Sequence, residues 1–386
     1  MKYQTMTLGT VATYINGRAF KPSEWETQGL PIIRIQNLTD ENAKYNYSSA
    51  EHEEKYLVKN GDLLFAWSAS LGAHIWKKKD AWLNQHIFKV IPNDGIMKMY
   101  LYYFLLQVVA NLYAKAHGTG MVHITKAPFM ATEIPVPPLE EQARIVARIE
   151  ELFSQLESGV ETLKQTKEQL AVYRQAVLKE AFDNEQYPKK KASEVGIVHL
   201  GRQRSPKNIS KDYPTKYIRA ANITESGIDV TNVEVLEMEF TPKEREKYYL
   251  QKEDIVLSEA SGSATQVGKP AIWNNEISNC CFQNTVIRHR VLEDNPEYIL
   301  WYYKFLFING FFSRMVGGVG INHIGASNFS NISIPIPPKE KQAEIVRQLE
   351  ERLSVCDQIE QTVDAALQQA EALRQSILKK AFERGL

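Results

Sequence analysis

The chain has 386 residues, 44% of them hydrophobic, and equal numbers of basic and acidic side chains give it a formal net charge of zero. This length favours two cores of about 100 to 200 residues each over a single one. The richest apolar runs, residues 99–110 and 298–312, contain polar side chains and are shorter than the roughly 20 residues that span a bilayer. The first ten residues lack an apolar core and only three cysteines occur. We therefore expect a cytoplasmic protein with no membrane partner.

The first predicted domain covers residues 1–135. Short apolar segments of β-forming residues lie at 30–35, 62–67 and 86–91, and a helical stretch follows at 99–113. This mixture predicts an α/β (mixed α+β) domain.

Residues 136–183 form a predicted central helical spacer. The pair Pro137-Pro138 bars the preceding residue from helical geometry, and Glu140 and Glu141 suit the positive end of a helix dipole. Mostly apolar residues then recur at alternating spacings of four and three, which is typical of a coiled-coil seam but also of any packing helix. The predicted seam is Ile145, Ile149, Leu152, Leu156, Gly159, Leu163, Thr166, Leu170, Tyr173 and Val177.

A second globular domain is predicted over 184–335, with β-rich segments at 216–220, 254–258 and 284–288 and a helical stretch at 296–307. Residues 336–386 form the C-terminal helical spacer. Its predicted seam, in which Arg352 and Cys356 weaken the apolar pattern, is Ile345, Leu349, Arg352, Cys356, Ile359, Val363, Ala366, Ala370, Leu373 and Ile377.

The two halves of the chain are repeats at an offset of 200. Residues 134–182 and 334–382 align without gaps, and 20 of the 49 positions are identical. Upstream, Gly118-Thr119-Gly120 matches Gly318-Val319-Gly320, and Tyr102-Tyr103 matches Tyr302-Tyr303. Farther back the offset drifts, and the matched pairs are Gln85 with Gln283, Asp62 with Asp254, Arg34 with Arg219, and Asn37 with Asn222. We expect a pseudo-twofold repeat in which the two helices pair antiparallel, because the second helix begins where the second domain ends.

The sequence contains no phosphate-binding Gly-Lys-Ser/Thr loop, no metal-spaced histidine or carboxylate cluster and no methyltransferase Pro-Pro-aromatic motif. We therefore expect a chain that is not an enzyme and holds no metal or cofactor. His123 and His323 recur at matching positions, but a histidine beside a glycine turn more often caps a loop or contacts a phosphate than catalyses a reaction.

Paired donors and acceptors for base edges are supplied by Arg, Asn and Gln, with Ser and Thr as further partners. Each such residue is also an ordinary turn or strand-end residue, and the glycines also suit hairpin turns. The candidate DNA-binding residues of the first domain are Arg34, Gln36, Asn37, Trp67, Ser68, Ser70, Lys77, Lys78, Asn84, Gln85, His86, Gly118, Gly120 and His123. Those of the second domain are Arg219, Asn222, Ser258, Glu259, Ser261, Ser263, Thr265, Gln266, Gln283, Asn284, Gly318, Gly320 and His323. Positions that match between the two repeats favour a role in the scaffold or in contact with the DNA backbone. Positions that differ between the repeats favour a role in sequence specificity.

The duplicated Ile-Pro-x-Pro-Pro-x-Glu-x-Gln start of each long helix and the Asn-Gly-Asp-Leu-Leu segment at 60–64 resemble the specificity subunits of type I restriction-modification systems. The resemblance covers nearly the whole chain. It implies that each globular target-recognition domain binds one half of a bipartite, asymmetric site in double-stranded DNA, and that the helices set the spacer and dock two modification subunits. It also implies S-adenosylmethionine, ATP and magnesium on the modification and restriction subunits, with none in this chain. The alternative is a coiled-coil adaptor with two protein-binding domains.

Overall fold

The computed structural model describes residues 3–40, 42–68, 70–115, 126–183, 187–203, 213–316 and 322–383. Two compact units emerge from the contacts within the chain. The first unit comprises residues 1–164 and 364–386, and the second comprises residues 165–363. Each unit therefore contains one globular part and a portion of both long helices. Within the described residues, no helix is both long and apolar enough to cross a membrane.

The first unit is built mainly from short antiparallel strands and one long α-helix on their flank. Its strands are β1 (Gln4–Thr7), β2 (Ala12–Asn16), β3 (Leu30–Ile33), β4 (Asn46–Ser48), β5 (Leu57–Val58), β6 (Leu63–Ala66), β7 (Gly72–Ile75), β8 (Ala81–Leu83), β9 (Ile87–Pro92) and β10 (Glu133–Val136). Its helices are α1 (Leu8–Val11), α2 (Ile35–Thr39), α3 (Lys98–Lys115), α4 (Lys126–Met130) and the first part of α5 (Leu139–Phe182). Two four-stranded sheets form, in the orders β2-β9-β6-β7 and β4-β3-β8-β5, and β1 pairs with β10.

The second unit repeats this topology. Its strands are β11 (Lys189–Lys191), β12 (Gly196–Leu200), β13 (Pro214–Ile218), β14 (Ile223–Thr224), β15 (Gly227–Ile228), β16 (Leu236–Glu239), β17 (Ile255–Ser258), β18 (Ala260–Ser261), β19 (Pro270–Ile272), β20 (Cys281–Phe282), β21 (Val286–Val291), β22 (Asn322–His323) and β23 (Ser333–Pro335). Its helices are α6 (Ala192–Val195), α7 (Pro242–Tyr248), α8 (Pro296–Ile308), α9 (Phe311–Met315), α10 (Ala326–Ser330) and the first part of α11 (Lys339–Glu383). The sheet β12-β21-β17-β19 corresponds to β2-β9-β6-β7, β16-β13-β20 to β4-β3-β8, and β11-β23 to β1-β10.

The central strands β6 and β17 are buried along their whole length. Each lies between two neighbouring strands and carries apolar side chains on both faces, which explains why their sequences show no polar alternation. The largest core of each unit is formed where the sheet packs against α3 or α8 and the long helices.

The structure corrects the predicted register of the repeat at two places. Asn84 and Gln283 occupy equivalent positions, because each forms a bridge to an arginine, Arg18 or Arg202. The predicted match of Gln85 with Gln283 was therefore wrong by one residue, since the two turns differ in sequence but contain the same residue type.

The predicted match of Tyr102-Tyr103 with Tyr302-Tyr303 was wrong by two residues. The hydroxyl of Tyr100 donates to the carbonyl of Pro135, and that of Tyr298 donates to the carbonyl of Pro335. Tyr100 and Tyr298 are therefore the equivalent residues of α3 and α8.

Each long helix starts with a buried glutamine that joins it to the neighbouring helix. Gln142 Nε2 donates to the carbonyls of Gly95 and Pro137, and its Oε1 accepts from the amide of Met97, all at 2.8 Å. Gln342 Nε2 donates to the carbonyl of Pro337 and to the side-chain carboxylate of Asp294, and its Oε1 accepts from the amide of Asn295. Both glutamines are fully buried. The repeated Gln of the helix-start motif therefore fixes the angle at which each helix leaves its sheet.

Within each unit, the end of one long helix packs beside the start of the other. In the first unit Phe382 packs on Tyr100 and Phe104, with ring centroids 5.2 Å apart in both pairs. In the second unit Phe182 packs on Tyr298 and Tyr302 at 5.5 Å. The two helices run antiparallel in each unit, as predicted. The repeated Ala-Phe at 181–182 and 381–382 is thus explained by core packing.

The seam prediction was correct near the helix ends and wrong in places between them. Ile145, Ile149, Val177, Ile345, Leu349, Cys356, Val363 and Ile377 are buried. Tyr173, Ile359 and Leu373 are 43%, 39% and 51% exposed, and Gly159 is also exposed, against the prediction. Half-buried positions are Leu152, Leu156, Leu163, Thr166, Leu170, Ala366 and Ala370.

Ion pairs between the helices explain part of this deviation. In the second unit Arg174 bonds to Asp357 at 2.7 Å and to Glu360 at 2.9 Å. Arg352 reaches Glu180 at 2.8 Å and the hydroxyl of Tyr173 at 3.2 Å. These long side chains cover positions that a regular coiled coil would fill with apolar residues.

Candidate nucleic-acid interface

A Gly-Arg pair that the sequence comparison did not match is shared by the two units. A Cβ on Gly17 would lie 2.0 Å from the carbonyl oxygen of Asn84, and one on Gly201 would lie 2.1 Å from that of Gln283. Glycine is required at both positions because two backbones approach closely. The following residues, Arg18 and Arg202, are half-buried. The sequence does contain this match, since the two Gly-Arg pairs are 184 positions apart, close to the 185 positions that separate Arg34 from Arg219.

The shared Asn residues are part of the scaffold. Asn37 Oδ1 accepts from the amide of Arg34 at 3.0 Å, and Asn222 Oδ1 accepts from the amide of Arg219 at the same distance. Both side chains are buried and also donate to backbone carbonyls. Asn37 and Asn222 are thus engaged in local hydrogen bonds, while Arg34 and Arg219 are half-buried residues whose Nε atoms are buried.

In the first unit, three turns meet at the end of the central strand β6. The amide of Trp67 donates to the carbonyl of His86 at 3.1 Å, and the two rings lie 5.0 Å apart. The indole N–H of Trp67 donates to Asn16 Oδ1 at 3.2 Å. We call this group the first turn surface, formed by Asn16, Trp67, Ser68, Gln85 and His86. Sequence reasoning missed Asn16, which has no counterpart of its own type in the second repeat.

The second turn surface lies at the equivalent end of β17. The amide of Glu259 donates to the carbonyl of Thr285 at 2.8 Å, and the hydroxyl of Thr285 accepts from the amide of Ala220 at 3.1 Å. The pair of strands β18 and β22 then places His323 opposite Ala260. This surface is formed by Glu259, Ser261, Ser263, Thr265, Asn284, Thr285 and His323.

Two serines of the second unit have different surroundings. Ser258 is buried; its hydroxyl donates to the carbonyl of Gln266 at 2.6 Å and accepts from the amide of Lys269. The Ser263 and Thr265 hydroxyls lie 2.8 Å apart on an exposed loop. Ser258 therefore shapes the loop, whereas Ser263 and Thr265 are presented to solvent.

The remaining candidate DNA-binding residues do not belong to either turn surface. Gln36, Ser70 and Lys77 are exposed, and Lys78 donates to the hydroxyl of Tyr45 at 3.0 Å. The predicted Gly118, Gly120, His123, Gly318 and Gly320 lie outside the described residues. In the described part of the chain, no group of three or more His, Cys, Asp or Glu side chains is placed to hold a metal ion.

The two turn surfaces share a backbone frame and differ in chemistry. Trp67 and Glu259 occupy the same place, because each donates its amide across the sheet to the turn before the next strand. The first position holds an apolar ring with one N–H donor, whereas the second holds a carboxylate that only accepts. The duplicated scaffold therefore carries two related surfaces with different chemistry.

The family model for the type I restriction modification DNA specificity domain matches residues 1–170 and 184–369. The chain therefore belongs to this family and carries two copies of its domain. It is 26% identical to the EcoBI specificity subunit of Escherichia coli, a match that covers 98% of this chain and 85% of the relative. It is 22% identical to the MjaVIII specificity subunit of Methanocaldococcus jannaschii, over 97% of this chain and 91% of the relative.

Solved structures show the same fold. The chain matches one from a study of complex assembly and conformational transition of the type I restriction-modification system with a TM-score of 0.74 at 19% identity, covering 100% and 98% of the two chains. It matches the HsdS subunit from Thermoanaerobacter tengcongensis with a TM-score of 0.56 at 17% identity, covering 100% and 97%. The predicted mixed α/β fold with two globular domains, long helices and an internal repeat is confirmed.

Proposed function

We propose that this chain is the DNA-binding specificity subunit of a type I restriction-modification complex, and that each turn surface binds one half of a bipartite site in double-stranded DNA. The observation that carries the proposal is the exchange of Trp67 for Glu259 at one position of a duplicated scaffold. Trp67 holds Asn16 at the first surface and Glu259 holds His323 at the second, so the two surfaces offer different groups to base edges. The two half-sequences should therefore differ, which makes the site asymmetric.

The zero net charge requires that phosphate contacts come from local groups. The exposed Lys77 and Lys78 of the first unit and the exposed lysines of β11 in the second are the side chains best suited to this role. Such contacts position a protein on the duplex without selecting a sequence.

The long helices suit a spacer between the half-sites. A helix of 44 residues such as α5 is about 66 Å long at about 1.5 Å per residue, and one duplex turn is about 34 Å. The helices are also the most alike parts of the two repeats, which fits a role in docking two identical modification subunits. S-adenosylmethionine, ATP and magnesium would then bind to modification and restriction subunits in the cytoplasm, and this chain would catalyse no step itself.

A gel-shift assay with random duplex DNA tests the binding role. We expect the chain together with its modification subunits to bind duplex DNA with an affinity that falls steeply as salt rises. An adaptor with two protein-binding domains would show no such affinity. Single-molecule methylome sequencing of a host with and without the gene should reveal a bipartite adenine-methylation motif, and its absence would refute the proposal.

A further inference from the structure

A buried carboxylate holds an exposed imidazole in the second turn surface. Glu259 is only 5% exposed, and its Oε2 lies 3.0 Å from Nδ1 of His323. Its Oε1 accepts from the amide of Gly325 at 3.3 Å, and its backbone carbonyl accepts from the amide of Ile324. The His323 side chain is 56% exposed. The carboxylate is therefore fixed from several directions, and the ring projects from it into solvent.

This arrangement sets which ring nitrogen carries the proton. An ionised carboxylate only accepts hydrogen bonds, so Nδ1 of His323 must be the donor to Glu259. In the neutral imidazole, Nε2 is then an acceptor. Within the described residues Nε2 has no hydrogen-bond partner, and it lies on the exposed side chain. The second turn surface therefore presents one acceptor of defined position.

The other polar groups of this surface have no such fixed polarity. Ser261, Ser263 and Thr265 carry hydroxyls that donate or accept by rotation, and Asn284 carries both kinds of group. The contact between the Glu259 and His323 side chains is not needed to join β18 to β22. The backbone pairs Ala260–His323 and Ser261–Asn322 already join these strands.

We infer that His323 reads an exocyclic amino group in the major groove, N6 of adenine or N4 of cytosine, within the half-site bound by the second unit. His123 recurs at the matching position of the first repeat, but Trp67 stands where Glu259 holds His323, so the fixed acceptor belongs to the second unit. Adenine and cytosine present a donor at this edge, whereas guanine O6 and thymine O4 are acceptors that an acceptor nitrogen does not bind. Glu259 is the positioning residue, since it acts through His323. This inference rests on the proposed function.

The variants are tested in the full chain with its modification subunits. Methylome sequencing of hosts carrying the wild type should give a motif with a fixed adenine or cytosine in one half-site. His323→Ala should relax that position alone and leave the other half-site unchanged, which also shows that the chain still folds. In gel shifts at pH 8 we expect about a tenfold loss of discrimination at that base.

Glu259→Gln is the sharper variant. Gln keeps the length of the side chain and an oxygen for the amide of Gly325, but its NH₂ group donates to Nδ1 of His323. The ring proton then moves to Nε2, which becomes a donor. We expect the preference at the same position to change from adenine or cytosine to guanine or thymine.

A base-analogue series identifies the contacted group. Duplexes in which purine replaces the adenine, or 2-pyrimidinone replaces the cytosine, lack the amino group. The affinity of the wild type should fall about tenfold for the one analogue duplex that removes the contact. The His323→Ala variant should bind that analogue duplex and the natural duplex equally well.

The outcomes separate the two proposals. A host without any bipartite motif contradicts the proposed function. A bipartite motif that His323→Ala leaves unaltered, or equal weakening on all sequences as a phosphate contact would give, overturns the inference alone.

Discussion

At the scale of single residues, the two units differ most sharply at a buried histidine. His289 is fully buried in β21, and its Nδ1 lies 2.8 Å from the hydroxyl of Tyr303. Burial lowers the pKa of His289 to about 4. Strand register places Val90 at the equivalent position, since Leu63 pairs with Val90 and Ile255 pairs with His289. The second unit therefore carries a titratable group where the first has an aliphatic one.

This difference predicts an acid sensitivity of the second unit. In the unfolded chain a histidine takes up a proton near pH 6.5, whereas folded His289 resists protonation down to about pH 4. The contribution of His289 to the free energy of unfolding is therefore complete above pH 6.5 and is lost as the pH falls from 6.5 toward 4, by up to about 3 kcal/mol. The double variant His289→Val with Tyr303→Phe should remove this slope.

Thermal unfolding between pH 7.5 and 4.5 measures the effect. Tyr303→Phe alone is the matched control, because it keeps the histidine and should keep the slope. An equal pH dependence in the wild type and the double variant would contradict the assignment to His289.

At the scale of elements, the start of each long helix depends on one glutamine. Gln342 satisfies the amide of Asn295 and the carbonyl of Pro337 in a place from which water is excluded. Replacing it by Leu leaves these groups without partners, and an unsatisfied buried polar group costs about 1 to 3 kcal/mol. We expect Gln342→Leu to destabilise the second unit by about 2 to 4 kcal/mol and Gln142→Leu to do the same in the first.

Hydrogen exchange at the first turns of α8 and α3 reports these losses. The control is Gln348→Leu on the same helix, whose exposed side chain bonds to Glu344 one turn away. Its effect should stay within about 0.5 kcal/mol. Equal effects of Gln342→Leu and Gln348→Leu would exclude the role assigned to the buried amide.

The end of α11 offers a second comparison between a buried and an exposed residue. Phe382 is 9% exposed and packs on Tyr100 and Phe104, whereas Leu373 is 51% exposed. Phe382→Ala should cost about 3 to 4 kcal/mol, and Leu373→Ala less than about 0.5 kcal/mol. Exchange of the amides at 371–383 should accelerate strongly in the first variant only. If Leu373→Ala proved as costly, the regular seam predicted from sequence would be right after all.

At the scale of the whole molecule, the proposed role of the helices as a spacer has a direct test. Inserting four residues in α5 between Gly159 and Leu163, where no side chain is fully buried, adds about 6 Å, or nearly two base pairs. We expect the spacer of the methylated motif to lengthen while both half-sequences stay the same. Methylome sequencing measures this, and a changed half-sequence would count against the spacer role.

The sequence predicted the repeat, the two long helices and the mixed α/β domains because local periodicity and a strong internal match encode them. It could not predict that Ile359 and Leu373 are exposed, since this depends on contacts with the facing helix, such as Arg174 with Asp357 near Ile359 and Arg374 with Glu157 near Leu373. The contact between Glu259 and His323 spans 64 positions of the chain and depends on the pairing of β18 with β22. No spacing rule joins such residues.

The packing of Phe382 also sets an order of events during synthesis. The core of the first unit includes Ile377, Leu378 and Phe382 from α11, which leave the ribosome long after the strands they cover. At a translation rate of about 5 to 20 residues per second, the delay after Phe153 is roughly 10 to 45 seconds. From α5 the second unit takes Val177, Leu178 and Phe182, which are made before its own strands, and from α11 its buried core takes residues no later than Leu353. The domain translated first is therefore the last to be completed, and until then it exposes the apolar surface of α3 to chaperones and proteases.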